Sequence, residues 1–277
     1  MIWGAWPVTT RLGVQGTLTP YDITAIRFFV SGILLLPFYF KLTSADVSVP
    51  GALIMAACAG APYMLVTAAG FTYAPASHGG VIIPSTLLVV TMLGSWILNG
   101  DRPDLVRTVG YLLVLAGILV IGADSLAIRT GSSWIGDLLF VAGGILWAIY
   151  TLASRYFGVS AFNATIVVCV LSLVTYIPAY AVTQGANLLH APLKEVLIQA
   201  AVQGVAISII GMIAYTRTVA LLGPARGSLF AALVPCATLV LAYPVLGESP
   251  GLAELTGLAL VTCGMVAGLG LLKRSRI

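Results

Sequence analysis

Apolar residues fill this chain in long blocks, neither alternating nor confined to one helical stripe. Ten such blocks run over 1–16, 21–42, 51–73, 76–98, 105–124, 134–156, 162–184, 195–221, 226–246 and 252–272. A helix needs about 20 mostly apolar residues to cross a bilayer, and most of the blocks have that length. A membrane barrel would show a period of two, and no block does. The joints are short and carry turn or charge signals, as in Thr19-Pro20-Tyr21-Asp22, Asn99-Gly100-Asp101-Arg102-Pro103, His190-Ala191-Pro192 and Gly247-Glu248-Ser249-Pro250. None is long enough to fold as a separate soluble unit. The pattern predicts an all-α integral membrane protein with ten transmembrane helices.

Composition narrows the class further. The 277 residues are 60% apolar and 8% charged, whereas soluble domains are roughly 45–50% apolar and about 25% charged. An ordinary soluble enzyme, a disordered chain and a nucleic-acid binder are excluded. The formal charge of +4 matters less than where Lys and Arg fall, because they set orientation. Nine fall on the side of the N-terminus: Lys41, Arg102, Arg107, Arg155, Arg217, Arg226, Lys273, Arg274 and Arg276. Four fall on the other: Arg11, Arg27, Arg129 and Lys194. Both termini are therefore expected in the cytoplasm, with the chain in a cell inner membrane. The four Cys residues show no metal spacing, and no cofactor is expected.

The chain also repeats itself. At a shift of 147, Gly100, Pro103, Leu105, Gly110, Leu113, Val114 and Gly117 meet Gly247, Pro250, Leu252, Gly257, Leu260, Val261 and Gly264. A weaker echo at 144 pairs Trp3 with Trp147, Arg11 with Arg155, Gly60 with Gly204 and Thr72 with Thr216. The boundaries of the two units are 1–125 and 132–273. Each holds five helices, and an odd count threads the second copy upside down, giving two inverted five-helix repeats. Trp147 lies 13 residues into its helix while Trp3 starts its own. Roughly ten residues of the first helix are therefore expected to precede this numbering, by comparison with a full span.

These features resemble the drug/metabolite transporter superfamily, and its EamA branch in particular. The residues that carry the likeness are Trp3-Gly4, Ala25-Ile26-Arg27-Phe28, Pro84 and Gly100-Asp101…Gly110…Gly117 in the first unit. Trp147, Pro235 and Gly247-Glu248…Gly257…Gly264 carry it in the second. The resemblance covers nearly the whole chain. Two departures stand out: Gly-Asp replaces the frequent Gly-Glu in the first copy, and the stretch from Pro84 to Gly100 is about four residues longer than that from Pro235 to Gly247. The resemblance implies export of small metabolites through a central cavity between the halves, with the fifth and tenth helices packed to the rear.

Polar residues in hydrocarbon must face protein or water, so shared polar faces are the pointers. Tyr63 and Thr67 share a face of the third span. His78, Ile82, Ser85, Val89, Met92 and Trp96 share one of the fourth. Trp147 and Thr151 do so on the sixth, Ser208 and Tyr215 on the eighth, and Trp3 and Thr10 on the first. The expected substrate-binding set is Trp3, Tyr63, Thr67, His78, Ser85, Trp147, Thr151, Ser208 and Tyr215. Such faces are also common as helix-packing seams, and Trp3, Trp6, Trp96 and Trp134 suit interfacial anchors. Pro84 and Pro235 each remove a backbone hydrogen bond inside a helix. With Arg27, whose family counterpart suggests a gate, they form the expected gating set, although Arg27 also reads as snorkelling or pairing with Asp22.

No acid lies deep in a span, and His78 is the titratable group on a helix face, expected as a neutral hydrogen-bonder. Facilitated or weakly coupled transport follows. A lining of hydroxyls and aromatic rings without fixed charge suits a neutral or zwitterionic solute, amino acids with aromatic ones among them, while a phosphorylated solute is disfavoured. A drug or purine exporter, a passive channel and a purely structural membrane protein are the rivals, and an intramembrane enzyme lacks a visible catalytic constellation. The expected partners are a small-molecule substrate and the lipid bilayer, with the chain a monomer or homodimer and no nucleic acid.

Overall fold

The structure is a computed structural model that describes residues 2–43, 46–100, 104–127, 131–223 and 233–268. Asp101, Arg102, Pro103, Arg129, Arg226, Lys273, Arg274 and Arg276 lie outside the described residues, as does the start of the ninth block. The helices are α1 (Ile2–Gln15), α2 (Pro20–Tyr39), α3 (Val49–Ala59), α4 (Ala61–Tyr73), α5 (Ala76–Asn99) and α6 (Leu105–Ala127). They continue as α7 (Ser133–Tyr156), α8 (Ala161–Thr183), the short α9 (Gly185–His190), α10 (Leu193–Gln199), a π-helical segment Ala200–Gly211, and α11 (Met212–Leu222). Last come α12 (Leu233–Leu246) and α13 (Leu252–Gly268). Among the described residues, six continuous or near-continuous runs are long and apolar enough to cross a membrane, and shorter apolar helices bring the total to about ten.

Local chemistry sets the ends. Thr19 and Asp22 close a capping box on α2: the Asp22 N–H donates to Thr19 Oγ1 at 3.2 Å, and the Thr19 N–H donates to Asp22 Oδ2 at 2.8 Å. Ser48 and Ser160 cap α3 and α8. Gly100 ends α5 with φ of 72°, a left-handed conformation that glycine adopts without a Cβ clash.

Two spans expected as single helices are interrupted. The third breaks at Gly60 because Pro62 removes a donor and crowds the preceding turn. The freed Ala61 N–H is satisfied by Ser172 Oγ of α8 at 3.1 Å. The eighth opens into the π-segment, where Ser208 Oγ donates to the Gln203 carbonyl at 2.7 Å. Pro84, by contrast, sits within a continuous α5, and Pro235 falls in the first turn of the described part of α12.

Helix α6 packs lengthwise on α13, and both touch α5. The seam is made by glycines. A Cβ on Gly117 would stand 2.7 Å from the Gly257 carbonyl oxygen, and one on Gly264 would stand 2.7 Å from Val114 N. No smaller residue exists, so these positions let the two backbones touch. The remaining helices surround the centre: α1 lies on α12, α4 and the π-segment, α5 on α7 and α12, and α2 on α8 and the π-segment.

Candidate functional site

Mid-height among these helices lies a cavity walled by aromatic rings. Trp3 and Trp6 of α1, Tyr63 of α4 and Trp147 of α7 supply them, and Gly79, Ile83, Pro84 and Leu87 of α5 complete one side. Ile207, Val234 and Arg27 close the rest. The rings are in mutual contact. The Trp3 and Trp147 centroids stand 5.4 Å apart edge to face, Tyr63 and Trp147 4.9 Å, and Trp6 stacks on Tyr63 at 6.0 Å, distances typical of favourable aromatic pairs. About 40 Å³ is open to the centre of a water-sized sphere. One water needs about 10–15 Å³ by that measure, so the space suits a few waters, and a metabolite requires the indoles to move apart.

A polar shell fixes the rings from behind. Thr151 Oγ1 lies 2.9 Å from the Tyr215 hydroxyl and donates to the Trp147 carbonyl at 2.8 Å. Tyr215 in turn stacks on Trp3 at 4.6 Å. Thr67 donates to the Tyr63 carbonyl at 2.9 Å and packs against Gly143. Of the nine expected substrate contacts, Trp3, Tyr63 and Trp147 line the cavity, Thr67, Thr151 and Tyr215 stand behind those rings, and Ser208 turns inward to its own helix.

The face of α5 chosen for its polar residues does not line the cavity. The lining residues Gly79 and Ile83 follow His78 and Ile82 by one position, and Pro84 and Leu87 stand on either side of Ser85 without including it. Adjacent residues point about 100° apart on a helix, so Ser85 is buried away from the cavity. Trp6 is also corrected, from an interfacial anchor to a cavity wall at 7% exposure. Sequence reasoning passed over it because an indole near a helix end resembles a belt residue.

His78 is corrected as well. Its Nδ1 stands 2.8 Å from Asp137 Oδ1 of α7, and its Nε2 3.1 Å from Glu254 Oε1 of α13. Both ring nitrogens face carboxylate oxygens, so each needs a proton between it and its partner; a neutral ring with two ionised acids leaves one pair repulsive. Ser77 Oγ donates to Glu254 Oε1 at 2.6 Å, and the Gly251 N–H to Glu254 Oε2 at 2.7 Å. Beside this cluster Arg11 Nε pairs with Glu248 Oε1 at 2.9 Å, the Ala76 N–H donates to Glu248 Oε2 at 2.9 Å, and Arg11 also donates to the Phe71 carbonyl. All these groups gather where α1, α4 and α12 finish and α5 and α13 begin.

Arg27 neither snorkels nor pairs with Asp22. Five residues along a helix turn the side chain by about 140° away, and Asp22 instead accepts from Thr19 and from the Tyr180 hydroxyl. Arg27 is 2% exposed and points into the core. Its Nη1 meets Met64 Sδ at 3.3 Å and Gln203 Oε1 at 3.5 Å.

The bundle of apolar helices around an aromatic cavity is the architecture of a multi-pass membrane protein, and sequence comparison gives its family. The chain matches the EamA-like transporter family over residues 1–123 and 134–268, and it belongs to that family, within the drug/metabolite transporter superfamily. It is a multi-pass membrane transporter and not an enzyme. It is similar to the uncharacterized transporter YyaM of Bacillus subtilis, 25% identical over 213 residues that cover 74% of this chain and 68% of the relative. It is likewise similar to an uncharacterized transporter of Archaeoglobus fulgidus, 25% identical over 157 residues, 55% of this chain and about half (53%) of the relative's length. A solved crystal structure shares the fold with a TM-score of 0.64 and 23% identity, covering 99% of this chain and 95% of that one.

Proposed function

We propose that this protein is an inner-membrane exporter of small neutral or zwitterionic metabolites, with amino acids, aromatic ones among them, as the preferred class. The carrying observation is the central cavity whose walls are indole and phenol rings drawn from both matched segments: Trp3, Trp6 and Tyr63 from the first, Trp147 from the second. Rings of that kind take up an aryl or alkyl side chain by burial and stacking. Two inverted five-helix halves rocking about this cavity would expose it to either side in turn. The repeated glycine–proline pattern and the two family-matched segments support that threading. The excess of Lys and Arg on the side of the N-terminus supports a cytoplasmic location for both ends.

Counterflow exchange of labelled L-phenylalanine in proteoliposomes tests the reading. Trp147→Ala combined with Tyr63→Ala should lower exchange at least tenfold while the protein remains folded. Exchange of purines or cationic drugs but not of amino acids would replace the substrate class, and exchange untouched by the double variant would remove the cavity assignment.

A further inference from the structure

The Arg27 guanidinium sits seven residues into a spanning helix, 2% exposed, on the wall of the cavity. An arginine keeps its charge in almost any surroundings, and a buried charge without a counter-ion is costly. Among the described residues no carboxylate lies within ion-pair distance of it: the ion pairs are Arg11 with Glu248 and His78 with Asp137 and Glu254. What meets it among the described residues is a thioether, one amide oxygen at 3.5 Å and the face of the Phe28 ring, 5.5 Å from its centroid, none of which carries a negative charge. That amide is aimed deliberately, because Gln203 Nε2 donates to Thr10 Oγ1 at 2.8 Å and so turns its oxygen toward Arg27. Among the described residues the Arg27 Nε–H has no acceptor, and neither has the indole N–H of Trp6 on the same cavity wall. The wall thus offers a positive charge and unfilled donors, with no negative charge among the described residues to answer them.

We infer that Arg27 is the recognition site for a carboxylate carried by the transported solute. The inference rests on the transporter reading above and deepens it: the solute has a single anionic head that accepts from the guanidinium, and an apolar body that enters the aromatic walls. One guanidinium matches one carboxylate in charge and in its forked geometry. Amines without an acid group are rejected, because an ammonium beside Arg27 meets like charge in a medium of low dielectric.

The test uses the purified full chain in nanodiscs, with three probes of the same aryl body: 3-phenylpropionate, L-phenylalanine and phenethylamine. Thermal stabilisation should saturate with the two acids and be absent with the amine. Arg27→Gln should weaken binding of both acids at least tenfold, with Arg27→Lys retaining part of it. Equal stabilisation by phenethylamine, or acid binding unchanged in Arg27→Gln, overturns the inference. So does stabilisation by chloride alone with nothing added by the acids. The acid–amine comparison on the unaltered protein stands even where a variant fails to fold. Arg27-dependent acid binding without counterflow would keep this site and remove the transport reading. Counterflow of a neutral amide at an unchanged rate in Arg27→Gln would do the reverse.

Discussion

At the scale of single residues, the His78 ring ties together three helices that are far apart in sequence. Asp137 is 59 residues away, and Glu254 comes from the opposite end of the chain. Replacing His78 with Gln takes away the ring that both carboxylates face; Glu254 keeps Ser77 Oγ and the Gly251 N–H, so the buried Asp137 bears the loss, which is about 3–5 kcal/mol for a buried ion pair broken from one side. His78→Gln should therefore melt well below the wild type in detergent, while His190→Gln on the exposed α9 should melt with it. Coincident melting curves for all three proteins would show that the cluster carries no stability. The aromatic wall residues Trp147 and Tyr63 were legible beforehand because a mid-span indole or phenol needs a reason to be there. The partners of His78 were not, since Asp137 and Glu254 each look like ordinary helix-end acids until three helix ends are brought to one level. Arg27 misled for a similar reason: proximity in sequence suggested Asp22, and helical geometry sends the two side chains to different faces.

Among the elements, the α6–α13 seam was the most readable feature, since the matched Gly117 and Gly264 are the positions at which the backbones touch. Gly264→Val should force the pair apart, because even its first added carbon meets Val114 N at 2.7 Å and the Gly110 carbonyl. A disulfide cross-link engineered along the seam should then form poorly and the melting temperature should fall. Gly251→Ala, with its nearest neighbour at 4.0 Å, is the matched control and should be silent. The interruptions at Gly60 and over Ala200–Gly211 were less readable. Hydropathy registers that a span exists but not how its backbone is wound, and a π-turn depends on what a neighbouring helix presses against it. Polarity alone misplaced the cavity face of α5: inside a bilayer hydroxyls mark helix seams as readily as openings, and the true lining of Gly79, Ile83 and Leu87 is apolar.

Across the whole molecule, the aromatic residues divide by depth in a way that reaches beyond binding. Of the five tryptophans, Trp3, Trp6 and Trp147 wall the cavity, whereas Trp96 and Trp134 are 44% and 42% exposed on the outer surface. Indole emission shifts with the polarity of its surroundings and is quenched by close contact, so the protein carries its own optical reporter of what occupies its centre. With Trp96→Phe and Trp134→Phe removing the outer glow, nearly all remaining ultraviolet emission would come from the three central rings. A solute that parts them should change its colour and brightness in proportion to occupancy. A spectrum that stayed fixed as bound solute saturated would place that solute somewhere else, and no dye or label would be needed to find out.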